Sequence, residues 1–305
     1  MKKLMTFIIL MILSVLLLGC QKETDVLTIM VPSGSPALAQ LYLQQNVEQY
    51  RVDVVNGADA LLYAFGSESH DVIFAPTNLG AKLYQSGMNY LFAGTVVWGN
   101  YYLIAKNQST FDIASLEGKN VVVFGQNQTS DIILRYLLNE LNVSVTITYV
   151  DSVATASAMF MADNDLIVMV AEPSLSAVSS KVSNVQIIDL QTTYQSVTGS
   201  DSYPQAGVFV NKSLDQKLVN NFLSDLGDSV ELVNQDPHAA SLIAVELEYA
   251  FSQSVIASAI PFSHLEFVSA NDSKVALEAY FNMIQDFNSA LIGGSLPNDD
   301  FYYQP

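Results

Sequence analysis

Along the chain, short apolar runs alternate with segments whose apolar residues recur every three to four positions, a pattern that predicts repeated β-α units. Val26–Val31 reads as a buried strand closed by the turn Pro32-Ser33-Gly34-Ser35. Ser35 as N-cap and Pro36 at the first helical position predict a helix to about Gln44. Arg51–Val55, Asp71–Ala75, Tyr90–Val97 and Tyr101–Ala105 read as further strands, with helices over Ala58–Phe65 and Leu79–Gln85. A second series follows the polar stretch Lys106–Thr110. It has strands over 120–124, 143–150 and 166–170 and helices over 131–141 and 152–161, then strands over 185–190 and 207–210. Beyond Ser213 the pattern is helical. Ser213 and Gln216 have capping-box spacing, Gly227 reads as a stop, and a last amphipathic helix spans about Asp272–Phe287. Repeated units of this kind imply an α/β protein with mainly parallel sheets covered on both faces.

The amino terminus follows a different pattern. Lys2 and Lys3 precede Leu4–Leu18, an uncharged apolar stretch too short for a spanning helix, which needs about 20 residues. It ends in Leu17-Leu18-Gly19-Cys20, and Cys20 is the only cysteine in the chain. The run resembles a bacterial lipobox. Residues 1–19 are therefore expected to be a signal peptide, Cys20 the lipidation site, and 20–25 a linker above the membrane. The expected location is the extracytoplasmic face of the cell membrane, lipid-anchored. With no second cysteine, stability must come from a core, and about 285 residues suffice for one large or two medium domains.

Composition narrows the chemistry. The net charge of −18 and only two arginines, Arg51 and Arg135, argue against nucleic acid and give little scope for clamping phosphate or carboxylate. His70, His238 and His264 are far apart and lack metal-ligand spacing, so no metal is expected. There is no Gly-x-Ser-x-Gly elbow and no phosphate-binding Gly-Lys motif, and no catalytic residue or cofactor is predicted.

Two β-α series joined by paired crossovers suggest a hinged, two-lobed molecule. Lobe 1 is expected over 26–105 plus 212–305 and lobe 2 over 106–211, with crossovers at Tyr101–Lys106 and Ala206–Asn211. The order of several segments resembles a known family: Val31-Pro32-Ser33-Gly34-Ser35-Pro36, Asp71-Val72-Ile73-Phe74-Ala75-Pro76, Leu116–Val123, Ala171-Glu172-Pro173 and the ending Leu291–Tyr302. Together they are similar to type II periplasmic binding proteins of the nitrate, sulfonate and thiamine-pyrimidine group of ABC importers. The resemblance implies a monomeric binding protein, not an enzyme, that hands a small-molecule ligand to permease and ATPase subunits. The alternatives are an enzyme of the same fold in menaquinone- or pyrimidine-precursor synthesis, or a sensory lipoprotein.

In open α/β sheets ligands lie beyond the carboxyl ends of the strands, so the strand-to-helix turns hold the candidates. Ser33, Gly34 and Ser35 stand before a helix start; the plain reading is a turn and a cap. Thr77 and Asn78 follow the third strand in the same way. Gly125–Ser130 has six residues without an apolar side chain, and Gln126, Asn127, Gln128 and Thr129 offer both donors and acceptors. Trp98, the sole tryptophan, and Asn100 stand near the first crossover, where an indole could stack on a ring or pack in the core. Glu172 ends a very apolar strand, and the resemblance favours a cleft-facing carboxylate. Tyr203 is the expected contact before the return crossover. Trp98, Glu172 and the amide-rich turn favour a nitrogen heterocycle or vitamin precursor, with a sulfonate second.

Overall fold

Residues 26–305, which the computed structural model describes, form eleven strands in two sheets. The expected signal peptide, Cys20 and the expected linker to Asp25 lie outside the described residues. In chain order the strands are β1 (Leu27–Pro32), β2 (Tyr50–Val55), β3 (Val72–Pro76), β4 (Tyr90–Trp98), β5 (Tyr101–Ala105) and β6 (Asn120–Phe124). They continue as β7 (Thr146–Val150), β8 (Ile167–Ala171), β9 (Gln186–Asp189), β10 (Pro204–Asn211) and β11 (Leu265–Ser269). One sheet runs β11-β4-β10-β3-β1-β2 and the other β7-β6-β8-β5-β9. Helices flank both, so the α/β two-lobed architecture is the observed one.

Each sheet has a parallel core of three strands: β2-β1-β3 in one and β7-β6-β8 in the other. The remaining pairings are antiparallel, which tempers the expectation of mainly parallel sheets. For the pairings of β5 and β10 the reason is the crossover. A strand that enters a sheet from the opposite lobe comes from the ligand side, so it runs against the strands that end there. Strand β5 pairs with β8 and β9, and β10 inserts between β3 and β4. Tyr101–Ala105 therefore hydrogen-bonds in the second sheet and Pro204–Asn211 in the first. The chain passes between sheets at Trp98-Gly99-Asn100-Tyr101 and again between β9 and β10, earlier in sequence than the expected crossovers.

Alternation within each strand divides the core. In β1, Leu27, Ile29 and Val31 pack on one side of their sheet, and Met30 points to the other. In β5, Tyr101, Leu103 and Ala105 enter the cluster that Met30 joins, whereas Tyr102 and Ile104 face outward to a third cluster. One face of each sheet thus contributes to a shared core, and each outer face has its own. This double burial explains why the strands read as continuous apolar runs.

Several helical details depart from the sequence pattern. The helix after β1 covers only Ser35–Leu38, with Gly34 rather than Ser35 as N-cap. Asp215, not Ser213, caps the Gln216–Gln235 helix by accepting from the amides of Lys217 and Leu218, and Gly227 lies inside that helix. The Pro237–Glu246 and Gln253–Ala259 helices lie in the stretch expected to be helical, whereas the Leu190–Thr198 helix and strand β11 have no clear sequence signal.

Candidate functional site

The six strands of the two parallel cores point their carboxyl ends at one another, and a cavity of about 270 Å³ lies between them. Its wall takes residues from each of those ends: Pro32–Pro36 after β1, Asn56–Ala58 after β2, Pro76 at β3, Phe124 and Gly125 at β6, Asp151–Ala154 after β7, and Ala171–Ser174 at β8. Position, not sequence similarity, makes these turns equivalent.

The back of the cavity is a polar relay across both crossovers. Asn100, in the first crossover, donates its backbone N–H to Gln205 Oε1 at 2.9 Å. Gln205, at the start of β10, returns its Nε2 to Asn100 Oδ1 at 2.7 Å. Asn100 Nδ2 donates to Ser35 Oγ at 2.6 Å, and Ser35 Oγ donates to the Glu172 carbonyl at 3.1 Å. Asn100, Gln205, Ser35 and Glu172 are all buried, so this relay ties the first lobe to the second in a low-dielectric setting where pairing is strongest.

Glu172 is 4% exposed, and burial pushes its carboxyl up to about 7 against the opposing pull of two hydrogen bonds from Ser176. Those bonds run from the Ser176 amide to Oε2 at 3.0 Å and from Ser176 Oγ to Oε1 at 2.9 Å. Near neutral pH the group can therefore hold or release a proton. The rest of the wall is largely apolar, with Tyr101, Phe124 and Phe251 as its aromatic members. Tyr101 and Phe124 meet edge to face, their centroids 6.0 Å apart.

Of the sequence candidates, Ser33, Gly34, Ser35, Asn100, Gln128 and Glu172 line this cavity. Gly34, at φ 104, adopts a backbone that a side chain would strain, which sets the turn beneath Ser35. Ser33 is exposed at the rim, and its Oγ donates to Asn56 Oδ1 at 2.6 Å.

The other candidates do not line it. Thr77 Oγ1 donates to the Pro204 carbonyl at 2.6 Å, and Asn78 Nδ2 reaches the carbonyls of Leu291 and Asn127 at 3.3 Å each. Thr129 Oγ1 donates to Asn78 Oδ1 at 3.2 Å. Asn78 and Thr129 thereby join the lobes, because their helices begin where the lobes meet, whereas Thr77 bonds within the first sheet. Gln126 and Asn127 are exposed away from the cavity; the Asn127 amide donates to Asp131 Oδ2 at 2.9 Å. Trp98 Nε1 donates to the Glu266 carbonyl at 3.0 Å, which turns the indole to a groove beside β11. Tyr203 is fully buried, stacked between Tyr101 and Tyr280 with Tyr194 edge-on. Gly99 leaves room for that stack: a Cβ there would sit 2.9 Å from the Tyr203 ring, and its φ is +60.

Sequence reasoning missed Asn56, Asp151, Ser152, Ser174, Gln205 and Phe251. Asn56-Gly57 and Asp151-Ser152 follow strands in the same manner as Ser33–Ser35, so the turn rule could have found them. Gln205 and Phe251 carry no local signal. Among the described residues no group of His, Cys, Asp or Glu is placed to hold a metal ion, and no helix is long and apolar enough to cross a membrane.

A family model described as menaquinone biosynthesis matches residues 101–285, more than half of the chain. The chain belongs to this family. The match begins at β5 and ends within the Ala270–Asn288 helix, so it takes in the whole second sheet and both sides of the return crossover. No curated protein matches. Among solved structures, an ABC transporter protein from Parabacteroides distasonis is similar at TM-score 0.79 and 22% identity, covering 92% of this chain and 99% of that one. The periplasmic aliphatic sulphonate binding protein SsuA from Escherichia coli is similar at TM-score 0.72 and 16% identity, covering 92% of each chain. A ligand-binding component of an ABC-type import system from Staphylococcus aureus, solved with zinc bound, gives TM-score 0.69 at 16% identity, covering 92% of this chain and 96% of that one. At these identities the likeness establishes the periplasmic-binding-protein fold.

Proposed function

We propose that the protein is the ligand-capture component of an ABC importer, held at the extracytoplasmic face by a lipid on Cys20. Two lobes close about the crossovers on one small molecule, and the closed form docks on permease and ATPase subunits as a monomer. The observation that carries this reading is the back wall of the cavity. Asn100, Gln205, Ser35 and the Glu172 carbonyl join residues of both lobes and both crossovers, so ligand contact and lobe closure are one event. Ser33, Gly34, Ser35, Asn100, Gln128 and Glu172 are the proposed contacts from the sequence candidates, with Gln205 and Asp151 added. A nitrogen heterocycle or vitamin precursor suits this wall, because amides supply ring-edge donors and acceptors while apolar side chains cover its faces.

Mass spectrometry of whatever leaves the protein on denaturation, after purification without refolding, tests this reading. Release of an unchanged small molecule that also raises the melting temperature supports capture. A protein that carries nothing and is stabilised by neither heterocycles nor sulfonates overturns it.

A second reading, an enzyme acting on a menaquinone precursor, draws support from the family match and from the Glu172 carboxyl, which titrates near neutral pH. Incubating the protein with its own released ligand separates the two readings: conversion to a new mass favours the enzyme.

A further inference from the structure

The charge around the cavity is one-sided. Among the described residues no Lys, Arg or His lines it, and the charged ones that do are Asp151 and Glu172. Among the described residues neither carboxylate has a salt-bridge partner. Glu172 is buried at the inner wall, whereas Asp151 is exposed at the rim, so the two lie along the path from solvent to the interior.

Helix starts are the usual substitute for basic side chains where a fold holds an anion. Here several of them carry or adjoin the chain's own acids. Asp59 lies in the first turn of the Ala58–Ser67 helix. Asp131 lies in the first turn of Thr129–Glu140 and takes the Asn127 amide. Asp151 stands just before Ser152, the residue that caps Val153–Ala162. Glu172 accepts the Ser176 amide at the start of Ser174–Ser179. Ser35–Leu38 and Thr77–Gln85 have no such acid; the first is a single turn of four residues, and at the second Thr77 bonds Pro204 while Asn78 bonds Leu291 and Asn127. An incoming anion would meet two carboxylates in a protein of net charge −18.

The same wall suits the opposite charge. Tyr101, Phe124 and Phe251 present aromatic surface to the cavity, and a cation gains from the negative face of such rings most when it is desolvated. Carboxylates together with aromatic rings, without a basic residue, make a lining for a positively charged organic group.

We propose that the cavity takes a small organic cation, a ring bearing a protonated or quaternary nitrogen, with Glu172 and Asp151 as counter-charges, Tyr101, Phe124 and Phe251 around it, and the Asn100–Gln205 amides at its polar edge. This rests on the capture reading and adds the sign of the ligand's charge. Glu172 is the residue that sets specificity, because it is the buried one of the two acids and its charge acts where water screens least.

The test uses three probes that share one ring and differ in charge: benzylammonium, benzyl alcohol and benzenesulfonate. Calorimetry on the full folded protein, freed of any co-purified molecule, should show binding by benzylammonium and none by benzenesulfonate. Glu172→Gln should weaken benzylammonium by about tenfold or more, through loss of a buried counter-charge. Asp151→Asn, at an exposed site, should weaken it roughly two- to threefold and reduce its sensitivity to salt. Binding by benzenesulfonate, or by benzyl alcohol equally with benzylammonium, overturns the charge assignment and leaves capture standing. Failure of benzylammonium to bind also overturns it, and an anionic molecule released from the native protein would do so with capture confirmed.

Discussion

The turns after β1 and β3 look alike in sequence and have opposite duties. Pro32-Ser33-Gly34-Ser35 and Pro76-Thr77-Asn78 each leave a buried parallel strand, each carries short hydrogen-bonding side chains, and each opens a helix. The first lines the cavity with Ser33, Gly34 and Ser35. In the second, Thr77 bonds the Pro204 carbonyl, and Asn78 bonds Asn127, Leu291 and Thr129. Strand β3 lies between β1 and β10, beside the returning crossover, so the helix after it meets the other lobe instead of open cleft. A polar turn at a strand's carboxyl end can hold a ligand or hold the lobes, and the neighbouring strand decides which.

The largest expected effect breaks the second turn. Asn78→Ala removes a buried side chain that joins three partners and should lower stability by about 2–3 kcal/mol in urea unfolding. A loss below about 0.5 kcal/mol would mean that this turn does not join the lobes. Next comes Glu172, at the equivalent turn after β8. Burial raises its carboxyl above the ordinary value of 4.5 to about 7, so the folded protein holds this proton more tightly than the unfolded chain. Its contribution to stability is full below about 4.5 and is lost as the pH climbs through about 7. Unliganded wild type should therefore lose on the order of 2 kcal/mol across that window relative to Glu172→Gln. Parallel pH profiles for the two proteins would contradict the burial of this carboxylate.

A smaller effect concerns the relay that joins the first turn to the crossovers. Asn100→Ala and Gln205→Ala should each destabilise, and the double mutant should fall short of their sum by about 1 kcal/mol, because each leaves the other's amide unpaired. Strict additivity would show that the reciprocal pair is not formed in solution. The smallest effect belongs to Ser33→Ala. Its hydroxyl sits at an exposed rim, and the change should stay within about 0.5 kcal/mol of wild type in stability. A loss as large as that of Asn78→Ala would erase the contrast between the two turns.

How much of this was legible in the sequence depends on the range of the cause. The strands were readable because both faces of each sheet are covered, which leaves runs such as Val121-Val122-Val123 and Ile167–Val170 unbroken by polar residues. The Leu190–Thr198 helix escaped because its segment, Leu-Gln-Thr-Thr-Tyr-Gln-Ser-Val-Thr, buries only Leu190 and Tyr194 and so shows little periodicity. In the site, the turns after β1, β6 and β8 were found by a local rule, and the same rule covers Asn56 and Asp151 after β2 and β7. Nearness to the crossovers leaves Trp98 open between cleft and core and makes Tyr203 the expected cleft contact. Distance along the chain could not say that one turns to the Glu266 carbonyl and the other lies within a stack of tyrosines.

The sequence alone determined the α/β class, the two series of units, the acidic surface, and the set of strand-to-helix turns from which a site could be drawn. Those follow from periodicity and composition, which are local or additive properties. Tertiary structure decided which sheet β5 and β10 join, which turns face the cavity, and which acids stand beside the helix starts that surround it. It also brought Asn100 to Gln205 across 105 positions of sequence. Those outcomes depend on the lobe contact at the crossovers, a long-range packing arrangement that no single segment encodes.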